Sequence, residues 1–185
     1  MSENNSQYDV IVIGAGVAGL YQLFKLRQLK LKALVIEAGD NVGGTWYWNR
    51  YPGARFDSES WSYGYSFSKE LFEEWDWPEH FAAQPDTLRY LNYVADKFDF
   101  RRDIKFDRRV EACVFDQQNN LWTVRTNTKE EYVARFLITA LGPLSAFTLP
   151  NIEGRDTFKG PAYHTARWPH EEVDFSGKRA GIIGT

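Results

Sequence analysis

Apolar and polar residues fall along this chain in two alternating rhythms. Residues 8–13, Tyr-Asp-Val-Ile-Val-Ile, are a short β-branched apolar run, as expected of a strand buried on both faces. Gly14-Ala15-Gly16-Val17-Ala18-Gly19 follows at once. Residues 19–29 then carry Leu20, Leu23, Phe24, Leu26 and Leu29, mostly three or four apart, which predicts a helix with one apolar face. Ala33-Leu34-Val35-Ile36-Glu37 reads as a second buried strand ending in an acid. Strand, glycine loop, helix and strand together predict a right-handed βαβ unit and a parallel sheet.

From Gly39 to about Ser68 the rhythm is lost, in a stretch rich in Gly, Trp, Tyr and Arg and too long for an ordinary connection. Its aromatics argue for order. Residues 86–98 predict a helix capped at Asp86-Thr87, with Leu88, Leu91, Val94, Ala95 and Phe98 on its buried side. Strands are predicted near 110–115, 121–126 and 131–140, the first two joined by the turn-rich Asp116-Gln117-Gln118-Asn119-Asn120. Residues 143–176 are proline-spaced and irregular, as a crossover between domains would be. Residues 177–185 read as a turn, a new strand and the opening of another glycine loop.

Composition narrows the function classes. A length of 185 residues suits one domain, or one and a part. A net charge of −3 and a pI of about 5.7 give no reason to expect nucleic acid or an anionic membrane as partner. A mean hydropathy of −0.49 and the lack of a long apolar run argue against a transmembrane span. Residues 1–7 lack the basic and apolar regions of a secretory signal. The single cysteine, Cys113, excludes an internal disulfide and fits a reducing compartment, so the cytoplasm is the expected location. It also leaves no second thiol for disulfide-reductase chemistry. His80, His164 and His170 are scattered without a second ligand at metal spacing, so no metal site is expected.

The first candidate site is Gly14-x-Gly16-x-x-Gly19, which stands in the context the motif requires, after a strand and opening a helix. Gly14 permits the tight turn, Gly16 lets a pyrophosphate approach the backbone, and Gly19 lets helix and strand pack closely. Free N–H groups and the positive end of the helix dipole then hold a diphosphate. Glu37 is placed to accept hydrogen bonds from an adenosine ribose, and its charge repels a 2′-phosphate, favouring FAD or NAD over NADP. The pattern is that of a Rossmann-like α/β fold.

Two further segments carry a family resemblance. Residues 158–169 spell F-x-G-x-x-x-H-x-x-x-W-P, with Phe158, Gly160, His164, Trp168 and Pro169 at the fixed positions. Gly43-Gly44-Thr45-Trp46 continues into Tyr47-Trp48-Asn49-Arg50-Tyr51-Pro52-Gly53-Ala54-Arg55-Phe56-Asp57, and Tyr63 follows. From Tyr8 to Thr185 the chain resembles the type I Baeyer–Villiger monooxygenases, flavoenzymes that turn ketones into esters or lactones. The resemblance implies an FAD-binding domain over residues 1–142 with an inserted antiparallel meander. It also implies an interdomain linker over 143–176 and the start of an NADP-binding domain over 177–185. FAD and NADPH are the implied cofactors, with O₂ and a small ketone as co-substrates.

The resemblance assigns flavin contacts to Gly14, Gly16, Ala18, Gly19, Glu37, Gly44, Thr45, Trp46, Tyr47, Trp48, Asp57, Tyr63 and Val110. On physical grounds alone the aromatics among them are equally core residues. Asp57 matches an aspartate that orients an active-site arginine located later in the family's sequences; a loop aspartate making local turn bonds is the other reading. Arg55 either contacts a cofactor phosphate or pairs with a surface carboxylate. His164 reads as part of a hinge between nucleotide domains, against direct proton transfer. Trp168-Pro169 favours ketone oxidation over N- or S-oxygenation, and a non-catalytic FAD-binding fragment is the third alternative. The 185 residues are expected to be an N-terminal portion, inactive alone, with an exposed apolar sheet edge and face.

Overall fold

The computed structural model describes residues 7–184. Residues 1–6, read above as lacking a secretory pattern, and Thr185, read as part of a second glycine loop, lie outside the described residues.

One sheet organises the chain. Its strands are β1 (Gln7–Ile13), β2 (Ala33–Ile36), β3 (Ile104–Lys105), β4 (Val110–Asp116), β5 (Leu121–Thr126) and β6 (Glu131–Thr139), in the order β3-β2-β1-β6-β5-β4. β3, β2, β1 and β6 run parallel, whereas β6-β5 and β5-β4 are antiparallel. The helices are α1 (Val17–Gln28), α2 (Thr45–Trp48), α3 (Ser60–Tyr63), α4 (Lys69–Glu74) and α5 (Gln84–Lys97).

β1 and β2 are buried on both faces because alternate side chains enter different cores. Val10, Val12, Ala33 and Val35 join Leu20, Leu23, Leu26, Leu91 and Val94 under the helices. Ile11, Leu34 and Ile36 join Val124, Tyr132 and Ala134 on the opposite face. The 39–68 stretch is ordered by its aromatics, as anticipated. Trp46 meets Phe56 and Tyr63 edge-on, and Phe56 stacks on Tyr63 at 4.3 Å.

The meander and the returning strand are one element. β6 pairs antiparallel with β5 over residues 131–134 and parallel with β1 from Val133 to Thr139, so the insertion is fused to the parallel sheet. Four expectations need correction. Leu29 is 68% exposed because it caps the C-terminus of α1 and turns off the apolar face. α5 begins two residues before Asp86. Pro85 occupies its first turn, where a missing N–H costs nothing, and Asp86 pairs with Arg89 at 2.7 Å instead of capping. α4 and β3 were not anticipated, since each is too short to show a period. Residues 179–184 form no strand: among the described residues no neighbouring strand takes their backbone groups, and Ile182 and Ile183 are 88% and 80% exposed. The expected exposed apolar surface is present at Val114, Phe115 and Phe136.

Candidate functional site: a cleft between two glycine loops

The carboxyl ends of β1, β2 and β6 converge where the chain leaves β1 in opposite directions, the switch point at which open α/β sheets bind ligands. A cleft of about 350 Å³ opens there. Its floor is Gly14, Gly16, Glu37, Gly44, Thr45 and Trp48; β4, from Val110 to Cys113, forms one wall.

Sterics explain the glycines. Gly14 has φ +102°, and a Cβ there would stand 2.7 Å from the Ala140 carbonyl oxygen. A Cβ on Gly19 would come within 1.9 Å of the Gly14 carbonyl oxygen, so only glycine lets α1 sit on the β1 turn. Gly16 and Gly44 touch backbone to backbone: a Cβ on Gly44, whose φ is +53°, would lie 2.7 Å from the Gly16 Cα. The Gly43 N–H donates to the Ala15 carbonyl at 3.0 Å, locking the second glycine loop onto the first.

Charge at the cleft is positive on balance. The N-terminus of α1 has no side-chain cap and no acid in its first turn, leaving backbone N–H groups free for an anion. Arg108 is neutralised by Glu130, whose hydrogen bond pushes the guanidinium pKa up. Glu111 pairs with Lys129 at 3.4 Å. Among the described residues Arg109 and Arg167 have no carboxylate partner. Burial pushes the Cys113 thiol up, so it stays protonated at neutral pH and is a poor nucleophile.

The sequence assignments divide sharply here. Gly14, Gly16, Glu37, Gly44, Thr45, Trp48 and Val110 line the cleft. Gly19 and Ala18 do not; Gly19 is a packing residue and Ala18 is exposed on α1. Trp46, Tyr47 and Tyr63 turn away from it. The Trp46 indole donates to the Tyr63 hydroxyl at 2.8 Å, and the Tyr47 hydroxyl donates to Asp40 at 2.8 Å. Burial pushes the Tyr47 and Tyr63 phenols up. Asp57 is exposed, without a hydrogen-bond partner among the described residues. Arg55 makes the surface pair, at 2.8 Å from Glu79, with a further bond to the Phe81 carbonyl.

None of the fingerprint positions enters the cleft. Phe158 is 66% exposed with its ring over Gly160, and Trp168-Pro169 follow a turn in which Trp168 packs on Tyr163 and Phe175. His164 caps that turn, its Nδ1 accepting from the Ala166 N–H at 3.1 Å while the ring packs on Phe147 at 4.8 Å. The turn places Ala166 and Arg167 at the cleft. Sequence reading missed Asn49, Arg108, Arg109, Ala140, Leu141 and Arg167. Ala140 and Leu141 carried a signal, since they follow a strand of the parallel sheet; the arginines carried none beyond their charge.

The fold and cleft define a two-glycine-loop Rossmann-like protein, and residues 11–185 match the family described as pyridine nucleotide-disulphide oxidoreductase, to which the chain belongs. The chain is similar to proteins named as Baeyer–Villiger and ketone monooxygenases. It is 51% identical over 183 residues to the 2-oxo-Δ³-4,5,5-trimethylcyclopentenylacetyl-CoA monooxygenase of Pseudomonas putida, covering 96% of this chain and 34% of that protein. Acetone monooxygenase (methyl acetate-forming) of Gordonia sp. TY-5 is 49% identical, with 95% and 33% covered. Phenazine N-monooxygenase PhzNO1 of Lysobacter antibioticus is 45% identical, with 100% and 34% covered. A solved structure of oxidized steroid monooxygenase bound to NADP superposes with a TM-score of 0.90 at 56% identity, over 97% of this chain and 34% of that one. OTEMO in complex with FAD and NADP gives 0.89 at 50% identity, over 96% and 35%. The chain thus spans about a third of the length of the relatives it matches.

Proposed function

We infer that the whole protein is an FAD-containing, NADPH- and O₂-dependent monooxygenase that inserts one oxygen atom beside a ketone carbonyl, giving an ester or lactone. The observation that carries this reading is near-complete coverage of the chain, at 49–51% identity, by relatives that include an acetone monooxygenase. The cleft fits the flavin nucleotide. Gly14, Gly16 and Gly44 let the two loop backbones close on each other and on the β6 end at the cleft floor, and the uncapped α1 N-terminus would attract a pyrophosphate's charge. Glu37 would accept from the ribose, and Thr45, Trp48 and Val110 would line the bound flavin nucleotide. Arg109 and Arg167 add uncompensated positive charge. Bound FAD supplies the oxygen-activating chemistry, with NADPH as electron donor.

Asp57, exposed and free of local partners, orients an arginine from outside these residues. Residues 1–142 form the flavin domain, 143–176 the linker and 177–185 the start of the NADP domain. His164, which caps a linker turn, serves as a hinge element. The partners are a small ketone and O₂, in the cytoplasm; among the described residues no helix is long and apolar enough to cross a membrane.

The second reading is N-oxygenation, favoured by the 45% identity to a phenazine N-monooxygenase over the entire chain. The full-length protein decides. Ketone-stimulated NADPH oxidation with ester or lactone detected by mass spectrometry is expected with acetone or cyclohexanone. Conversion of phenazines or amines with both ketones untouched would establish the second reading instead.

A further inference from the structure

Glu37 makes four hydrogen bonds inside the protein, two through its carboxylate and two through its backbone. The residue is 4% exposed. One carboxylate oxygen accepts the Ala15 N–H at 2.7 Å and the other accepts the Gly39 N–H at 2.8 Å. Its backbone N–H donates to the Lys105 carbonyl, and its carbonyl accepts the Arg108 N–H, each at 2.9 Å. One residue therefore ties the first glycine loop, the approach to the second loop, and the entry to the β4 wall.

The chemistry of these contacts requires a carboxylate. Two backbone donors converge on it, and an ionised carboxyl offers only acceptors, whereas a glutamine amide would set its own N–H groups against one of the donors. Hydrogen bonds to an ionised acceptor are about twice as strong as neutral ones. Without it, the Ala15 and Gly39 N–H groups would lie buried and unpaired.

We propose that Glu37 is a positioning residue that fixes the shape of the cleft before any ligand arrives, by clamping the 14–16 loop to the 38–44 loop. Its importance for activity rests on the reading that this cleft holds a dinucleotide, but the clamp itself does not. A ribose bonded to Glu37 then meets an oxygen already aimed by the backbone, and the loops need no reorganisation on binding.

The test is residue-resolved amide exchange on the full-length protein, freed of flavin and then with FAD added. The Ala15 and Gly39 amides are expected to be protected already in the flavin-free protein. In Glu37→Gln they should exchange at least about ten-fold faster, with Ile11 and Val12 amides unchanged. Loss of a ribose contact alone would not produce that local change without ligand, and general destabilisation would spread to the strand amides. Wild-type amides that become protected only when FAD is added would overturn the clamp, as would a Glu37→Gln protein whose two amides exchange normally. If Glu37→Gln fails to fold, the wild-type comparison still decides. Protected amides in a protein that binds no FAD would support the clamp and contradict the flavin reading.

Discussion

Two glycine-bearing regions of this chain behave in opposite ways. In the first, residues 14–44, Cβ atoms at Gly14, Gly19 and Gly44 would collide with backbone at 1.9–2.7 Å, and one at Gly16 would stand 3.2 Å from the Gly44 Cα. In the second, residues 177–184, Cβ atoms at Gly177, Gly181 and Gly184 would meet nothing within 4 Å. Burial follows the same division, with Leu20 and Leu23 at 0% exposure and Ile182 at 88%. The lesson is that a glycine pattern becomes a site only when a sheet and a helix close around it.

The largest effects that could break this contrast come from filling the first region. In the 185-residue chain, Gly19→Ala should cost at least about 3 kcal/mol, because a backbone oxygen cannot move aside without shifting α1, whereas Gly181→Ala should stay within about 0.5 kcal/mol. Urea unfolding of both variants compares them directly, and equal midpoints would remove the distinction. Leu23→Ala, at a fully buried position under the sheet, should cost about 2–5 kcal/mol.

A smaller effect tests how the aromatic cluster supports the loop. The Tyr65 hydroxyl donates to the Val17 carbonyl at 2.6 Å in the first turn of α1, and the Tyr65 N–H donates to the Tyr90 hydroxyl at 2.7 Å. Tyr65→Phe should lower unfolding free energy by about 1 kcal/mol. Alkaline pH acts on the same pair. Burial pushes the Tyr90 phenol up to about 12 and the Tyr65 phenol well above its ordinary 10.0. The unfolded chain releases these protons near pH 10 and the folded chain only above it. Stability fully present below pH 10 is therefore lost as pH rises toward about 12. Urea midpoints between pH 8 and 11.5 should fall less steeply in Tyr90→Phe than in the wild type; parallel curves would refute the assignment.

Much of the fold was legible because its signals are local. The apolar runs of β1 and β2, the turn before β5 and the spacing of Leu20, Leu23 and Leu26 each depend on a few neighbouring residues. The site was legible where backbone shape dictates the residue, at Gly14, Gly16 and Gly44. It was less so where side-chain direction matters. Trp46 and Trp48 are two residues apart in one short helix, yet Trp46 joins the core and Trp48 the cleft. No periodicity could separate them, because α2 is a single turn. Arg167 was invisible for another reason: it reaches the cleft from a segment distant in sequence, through a turn capped by His164.

The central claim is that the junction of the two glycine loops is the flavin site. FAD titration of flavin-free full-length protein, wild type beside Gly44→Ala, tests it most directly. The added methyl would press on the Gly16 Cα, in a backbone conformation suited to glycine. One FAD per chain in the wild type, and affinity weakened by at least about ten-fold in the variant with the β1 core intact, is the predicted result. Unchanged FAD affinity in a folded Gly44→Ala protein would contradict it.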